Sequence, residues 1–179
     1  IPAMFARTWG WSIPEVGLYF GLVVLICGPL GTNLGGWFGD YLFARGYRDG
    51  MVRALLGCIA ISVPCFIIAP LMPSGTLALA VFAPATIASA AASTTGNAAL
   101  MIVTPNEVRA QISAVSLLVI SIVGLIIGPT SVAMFTDYVF KDESALRYSM
   151  AIVPSGFGLL SFFVLLWGRH HYEAAVDPD

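Results

Sequence analysis

The sequence predicts an all-α membrane protein, and three observations about its composition support this. Of the 179 residues, 58% are hydrophobic and only 10% are charged, whereas ordinary soluble domains carry about 25% charged residues. The mean hydropathy is +0.88. No charged residue occurs between Arg53 and Glu107. Helices of about 20 apolar residues cross a bilayer, and the uncharged runs here are too long and too uniform for barrel strands.

Five membrane spans are predicted, because backbone polar groups in lipid must be hydrogen-bonded within their own helix. The segment "IPAMFARTWG" at residues 1–10 is predicted to be the end of a preceding helix. The chain is accordingly predicted to be part of a longer protein whose N-terminal half is absent. The five spans cover approximately residues 16–38, 54–71, 77–103, 110–136 and 148–168.

The connectors contain helix-start signals, and the spans contain prolines. "SIPE" (Ser12 to Glu15) and "TPNE" (Thr104 to Glu107) match the capping box, and Pro105 fits a first helical turn. Ser144 is a candidate N-cap for the last span. A proline removes a backbone donor and kinks a helix, and broken helices are typical of transporters. Each span has one such interior proline: Pro29, Pro64, Pro84, Pro129 and Pro154.

The distribution of basic residues predicts the orientation. One side of the predicted bundle carries Arg7, Lys141 and Arg147, and the other side carries five arginines. Because cytoplasmic loops are enriched in Lys and Arg, the five-arginine side and the C-terminus are predicted to be cytoplasmic. The five residues are Arg45, Arg48, Arg53, Arg109 and Arg169.

Six glycines of the first span fall on one face of a helical wheel, which we call the glycine seam. Small residues allow membrane helices to approach closely, so the seam is interpreted as a helix–helix contact, which could also slide, rather than as a ligand site. Its members are Gly17, Gly21, Gly28, Gly31, Gly35 and Gly39.

Polar residues also share faces of the third and fourth spans. Their side chains either bond to their own backbone or line an aqueous cavity, and both readings stay open. Asn97 is costlier to bury, which favours a cavity or an interhelical hydrogen bond for it. No ionisable residue lies in the middle of a span, so a proton carrier is expected elsewhere in the protein. The candidate cavity residues are Thr86, Ser89, Ser93, Asn97, Ser113 and Ser116.

The segment "GWFGDYLFARG" resembles the loop signature of the major facilitator superfamily, which is Gly, three residues, Asp, a basic residue, then Gly and further basic residues. Gly36, Asp40 and Arg45 match it, whereas Tyr41 replaces a basic residue and Phe43 replaces a glycine. The resemblance implies a gating role for this motif. Asp40 would pair there with a basic residue or a helix N-terminus, and its partner is expected in the absent half.

The resemblance extends along the chain. "TPNEVRAQISAVSLLVISIVGLIIGPTSVAMFTDYVF" is similar to helix eleven of spinster-like members, and "DESALRYSMAIV" fits the start of helix twelve in bacterial relatives. The resemblance therefore implies the C-terminal six-helix half of a 12-helix major facilitator fold, with its first helix truncated. The markers in helix eleven are Pro105, Arg109, Gly124, Gly128, Pro129 and Asp137.

The implied function is secondary active transport by alternating access in a bacterial inner membrane. The substrate would be a small organic or amphiphilic solute, with lipid-like molecules among the candidates. A proton or cation is a candidate co-substrate, and the bilayer and the N-terminal half are expected partners. The alternative is a non-transporting scaffold or partner subunit built from a half-transporter.

Other classes of function find little support in the sequence. No nucleophile lies near a base at matching depth, so no enzyme activity and no catalytic residue are predicted. The three cysteines lie in apolar runs, where packing is the favoured reading. No cofactor, metal site or nucleic-acid partner is predicted. The cysteines are Cys27, Cys58 and Cys65.

Overall fold

The structure, a computed structural model, describes residues 2–136 and 146–176, and the regular structure in these ranges is entirely helical. A 3₁₀ turn at Ala69–Leu71 extends α3, and a π-helical segment at Val123–Ile127 joins α5 to α6. The helices are α1 (Pro2–Trp9), α2 (Ile13–Ala44), α3 (Gly50–Ile68), α4 (Gly75–Val103), α5 (Arg109–Ile122), α6 (Gly128–Met134) and α7 (Leu146–Val176).

Five helical segments among the described residues are long and apolar enough to cross a membrane. The described residues confirm the prediction of an all-helical chain, and the five segments are compatible with a multi-pass membrane protein. Four of the predicted spans lie inside these segments, and the fourth span in order ends two residues beyond its segment. Predictions made for Asp137, Lys141 and Ser144 fall outside the described residues. The segments are Ile13–Ala44, Gly50–Leu71, Gly75–Val103, Arg109–Met134 and Arg147–Tyr172.

Of the two predicted capping boxes, one forms. The Ser12 N–H donates to Glu15 Oε2 over 2.9 Å, and the Glu15 N–H donates to Ser12 Oγ over 3.4 Å. The second box is wrong, since α5 begins at Arg109 with Val108 at its N-cap and no side-chain cap. The Thr104 hydroxyl donates instead to Leu100 O of α4 over 2.6 Å, so it serves the helix before it. Pro105 accordingly lies in the connector and not in a first helical turn.

α4 is the central helix of the bundle, because it packs against both α2 and α3, while α7 packs mainly against α3. Small residues make the α2–α4 contact close. A Cβ at Gly35 would lie 2.7 Å from Ala91 Cα, and a Cβ at Gly31 would overlap the Ile87 carbonyl. These backbones therefore approach as closely as small residues allow in membrane helices.

The two ends of the bundle differ in composition. The aromatic end holds a core around Phe5, Val16 and Phe82, with tryptophan and phenylalanine rings packed on it. The arginine-rich end, defined by Arg45, Arg48, Arg53, Arg109 and Arg169, holds a second core. Aliphatic side chains of α3 and α4 pack there beside three residues of α7. Its members are Met51, Val52, Leu56 and Ala99, with Phe162, Leu165 and Tyr172 beside them.

The segment Arg109–Met134 forms a continuous rod, which we call the α5–α6 rod, and none of its helical residues is buried. Its middle is π-helical just before Pro129, which has no N–H to offer. The Gly128 N–H bonds to Val123 O, five residues back, and the Thr130 hydroxyl donates to Ile126 O over 2.5 Å. The side chain thus satisfies a carbonyl near the proline, as membrane helices commonly require.

Candidate functional site: an intramembrane cleft

A cleft of about 820 Å³ lies between the α5–α6 rod and the helices α3, α4 and α7. The rod is held near its two ends. At one end Arg109 Nη2 donates to Thr104 O over 3.3 Å, and at the other Thr136 Oγ1 donates to Ser149 Oγ over 2.9 Å. The cleft is lined by Leu55, Ile59, Ala92, Ser93, Gly96, Asn97, Leu100, Val115, Ser116, Leu117, Val119, Ile120, Ser161 and Leu165.

Four polar side chains reach this cleft from three helices. Ser93 and Asn97 are one turn apart on α4 and are exposed, Ser116 faces the cleft from α5, and Ser161 from α7. At 1.5 Å per residue, Asn97 lies about 9 Å from the end of α4, and Ser116 about 10 Å from the start of α5. Asn97 and Ser116 therefore lie at similar depths, well inside their helices.

The other predicted cavity residues lie elsewhere. The Thr86 hydroxyl donates to Phe82 O and the Ser89 hydroxyl to Ala85 O, each over 2.8 Å, so both bond to their own helix. Ser113 Oγ lies 3.3 Å from Met101 Sδ, beside the cleft rather than in its lining. Thr86 and Ser89 therefore bond to their own helix, and whether the other residues of the set line an aqueous cavity stays a prediction. Ser93, Asn97 and Ser116 are the predicted residues that the fold brings together.

The structure divides the glycine seam into two parts. Gly31 and Gly35 are buried against α4, and Gly39 is buried against the Met51 side chain of α3. Towards the start of α2 the neighbouring helices lie further away, and no described atom lies within 4 Å of the position a Cβ would occupy. The glycines of this open part are Gly17, Gly21 and Gly28.

The predicted gating residues are not brought together within the described ranges. No described atom lies within 4 Å of the position that a Cβ at Gly36 would occupy, and Asp40 and Arg45 are exposed. The Arg45 guanidinium lies 4.5 Å above the centre of the Tyr41 ring, which in turn stacks on Trp37 at 5.6 Å. Tyr41, one of the two residues that depart from the signature, therefore contacts Arg45 through a cation–π interaction.

An ion cluster at the arginine-rich end was missed by sequence reasoning. Asp49 is 1% exposed and stands at the N-cap of α3 without capping it. Its carboxylate accepts from Arg53 Nε over 2.6 Å and from Arg169 Nε of α7. The Tyr172 hydroxyl nearby donates to Ala99 O over 3.1 Å. These contacts fix the end of α7 against α3 and α4.

Of the residues that were not predicted, only Asp49 and Arg53 show a recognisable pattern in the sequence. Asp49 and Arg53 are four residues apart at a helix start, a spacing that favours ion pairing. Nothing in the sequence linked Asp49 to Arg169, which lies 120 positions later. Ser161 is a single serine in an apolar run, and only the packing of α7 places it in the cleft.

No protein-family model matches the chain, and the searches of curated proteins and of solved structures found no match either.

Proposed function

We propose that this protein is a secondary active transporter that works by alternating access and moves a small organic or amphiphilic solute through the cleft. In this proposal the chain is the C-terminal half of a major facilitator transporter of the spinster-like branch. The cleft supports it best: a partly polar opening lies inside a bundle of membrane-length helices, lined by Ser93, Asn97 and Ser116.

The wall of the cleft is built in a way that suits movement. The α5–α6 rod packs little against the bundle along its middle, and its π-helical segment interrupts the regular hydrogen-bond ladder. Such irregular segments bend more easily than regular helices and occur often at functional sites. A rod held near both ends can therefore change the width of the cleft without losing its attachments.

The motif at the end of α2 supports the same proposal. Asp40 is exposed and makes no hydrogen bond or ion pair with another described residue, so it is open to a partner from outside this part of the chain. In the proposed mechanism, a basic group of the N-terminal half binds Asp40 in one conformation and releases it in the other. The orientation that accompanies this proposal has the arginine-rich end in the cytoplasm of a bacterial inner-membrane protein.

A flux assay tests the proposal. The complete polypeptide that carries this sequence is reconstituted into liposomes, and uptake of radiolabelled octyl glucoside is measured below its micellar concentration. We expect uptake that saturates with concentration and exceeds uptake by empty liposomes. Asp40→Asn should slow uptake about fivefold or more without changing the amount of inserted protein. Uptake by the unaltered protein that matches empty liposomes at every concentration would reject the carrier.

A scaffold or partner subunit is the second candidate, and α2 is the observation that favours it. Only 6% of the residues in the most hydrophobic stretch of this helix are buried within the described protein. Gly17 and Gly21 leave part of its face free for close contact with another helix. In the same assay a scaffold would bind its partner protein and produce no flux.

A further inference from the structure

We infer that the cleft selects uncharged amphiphiles and that Asn97 is the residue that holds their polar head. This inference rests on the proposed function for the route of the ligand, but the binding it describes can be measured without transport. It narrows the substrate class from small solutes in general to molecules with a neutral, hydrogen-bonding head and an apolar tail.

The cleft lining has no charged side chain that could compensate the charge of an ionic ligand. None of the fourteen described lining residues is acidic, basic or a histidine. An ionised head placed among them would lose its hydration and gain no counter-charge, and this cost is far larger than that of a neutral hydrogen-bonding group. The described charged residues lie instead near the two ends of the bundle, and most of them are at the arginine-rich end, as in the Asp49 cluster.

The polar groups of the lining are complementary to a neutral head. Asn97 offers an amide donor and an amide acceptor, and each serine hydroxyl can do both. The side chains of Ser93, Asn97 and Ser116 make no hydrogen bond with another described residue. The hydroxyls of Thr86 and Ser89 on α4, by contrast, are bonded to their own helix. Their hydrogen-bonding capacity is therefore available to a ligand.

The remaining lining suits an apolar tail. Branched aliphatic side chains surround the polar group, with Leu55 and Ile59 from α3, Leu100 from α4 and Leu165 from α7. A volume of about 820 Å³ lies within the usual range for small-molecule sites. A molecule with a head at Asn97 and a short alkyl tail along these leucines would satisfy both kinds of surface.

Direct binding to the complete protein in nanodiscs tests the inference. Three probes share an eight-carbon chain and differ in the head: octyl glucoside is neutral, octyl sulfate is anionic and octyltrimethylammonium is cationic. We expect saturable binding of octyl glucoside, about tenfold or more tighter than that of either charged probe. This ratio follows from the uncompensated charge in the cleft.

Two variants of Asn97 and one control make the test specific. Asn97→Leu should weaken octyl glucoside binding about 5- to 10-fold, since it removes the amide hydrogen bonds. Asn97→Asp should raise the affinity for octyltrimethylammonium by a similar factor, since it adds a counter-charge. Thr94→Val is the matched control, because the Thr94 hydroxyl bonds to Ala90 O over 3.1 Å outside the cleft lining.

The outcomes separate this inference from the proposed function. The inference would be overturned if a charged probe bound more tightly than octyl glucoside, or if all three probes bound equally. It would also be overturned if the probe entered the lipid without saturation and the Asn97 variants did not change this uptake. The same holds if Asn97→Asp folds and gains no affinity for the cation. Saturable, Asn97-dependent binding of octyl glucoside without flux would support the inference and reject the transporter.

Discussion

At the start of α3, the carboxylate of Asp49 joins two arginines from different parts of the chain. It is buried, whereas the Arg53 and Arg169 side chains are each about one-third exposed, at 32% and 34%. The Arg53 guanidinium also lies 4.1 Å above the centre of the Tyr47 ring. Because the acceptor is buried, losing its charge weakens two charge-assisted hydrogen bonds that join α3 to α7.

This arrangement predicts a marked effect of Asp49→Asn. The free energy of unfolding should fall by about 1–3 kcal/mol. Because both arginines are partly exposed to solvent, which weakens ion pairs, the loss should lie below the upper end of this range. Unfolding by sodium dodecyl sulfate in mixed micelles measures this change. Asp40→Asn is the matched control at an exposed carboxylate and should change stability by less than about 0.5 kcal/mol. Equal losses in the two variants would show that the Asp49 cluster does not stabilise the bundle.

At the scale of the elements, the α2–α4 contact depends on glycine at particular positions. The Gly35 position is filled by Ala91 of the opposite helix, whereas the Gly21 position on the same α2 helix is open. The two glycines look alike in sequence, yet only the first is required by close approach of the backbones. Lipid tails are as apolar as these helices, so no hydrophobic driving force holds a helix pair together. The pair gains its stability from such close packing instead.

Alanine substitutions at these two positions should have opposite effects. Gly35→Ala should lower the free energy of unfolding by about 1–3 kcal/mol, since its Cβ would lie 2.7 Å from Ala91 Cα. Gly21→Ala should be neutral or should raise stability by up to about 1 kcal/mol, because alanine favours the helix and meets no atom. The same micelle titration measures both. A destabilising Gly21→Ala together with a neutral Gly35→Ala would contradict the contact.

At the scale of the whole molecule, the bundle has chemically different ends. Aromatic rings surround Phe5 and Phe82 at one end, and arginines gather with the Asp49 cluster at the other. Aromatic side chains suit either membrane interface, but arginine is enriched only on the cytoplasmic side. The whole-molecule charge distribution therefore favours one orientation over its inverse.

This orientation predicts which cysteine variants react with a membrane-impermeant maleimide in intact cells. In a background without Cys27, Cys58 and Cys65, Pro73→Cys should react, because its exposed turn lies at the aromatic end between α3 and α4. Glu107→Cys lies in the connector at the arginine-rich end and should react only after the membrane is permeabilised. The reverse pattern would mean that the arginine-rich end faces outwards.

The sequence by itself determined the membrane character, the helical state and the approximate spans of this protein. These features follow from local composition, because a bilayer leaves an apolar run of this length only one way to bond its own backbone. It also determined the first capping box, whose partners are three residues apart. The second box failed because Thr104 found a carbonyl of the preceding helix instead.

Only the tertiary structure decided which of the patterned residues face a cleft. Helical periodicity put Thr86, Ser89, Ser93 and Asn97 on one face of α4, but the position of the α5–α6 rod left an opening beside the last two alone. In the same way, packing of α4 against α2 buries two glycines of the seam, and Met51 of α3 covers a third. The end of α7 lies where Arg169 can bind Asp49. Such contacts join distant parts of the chain, so no local pattern encodes them.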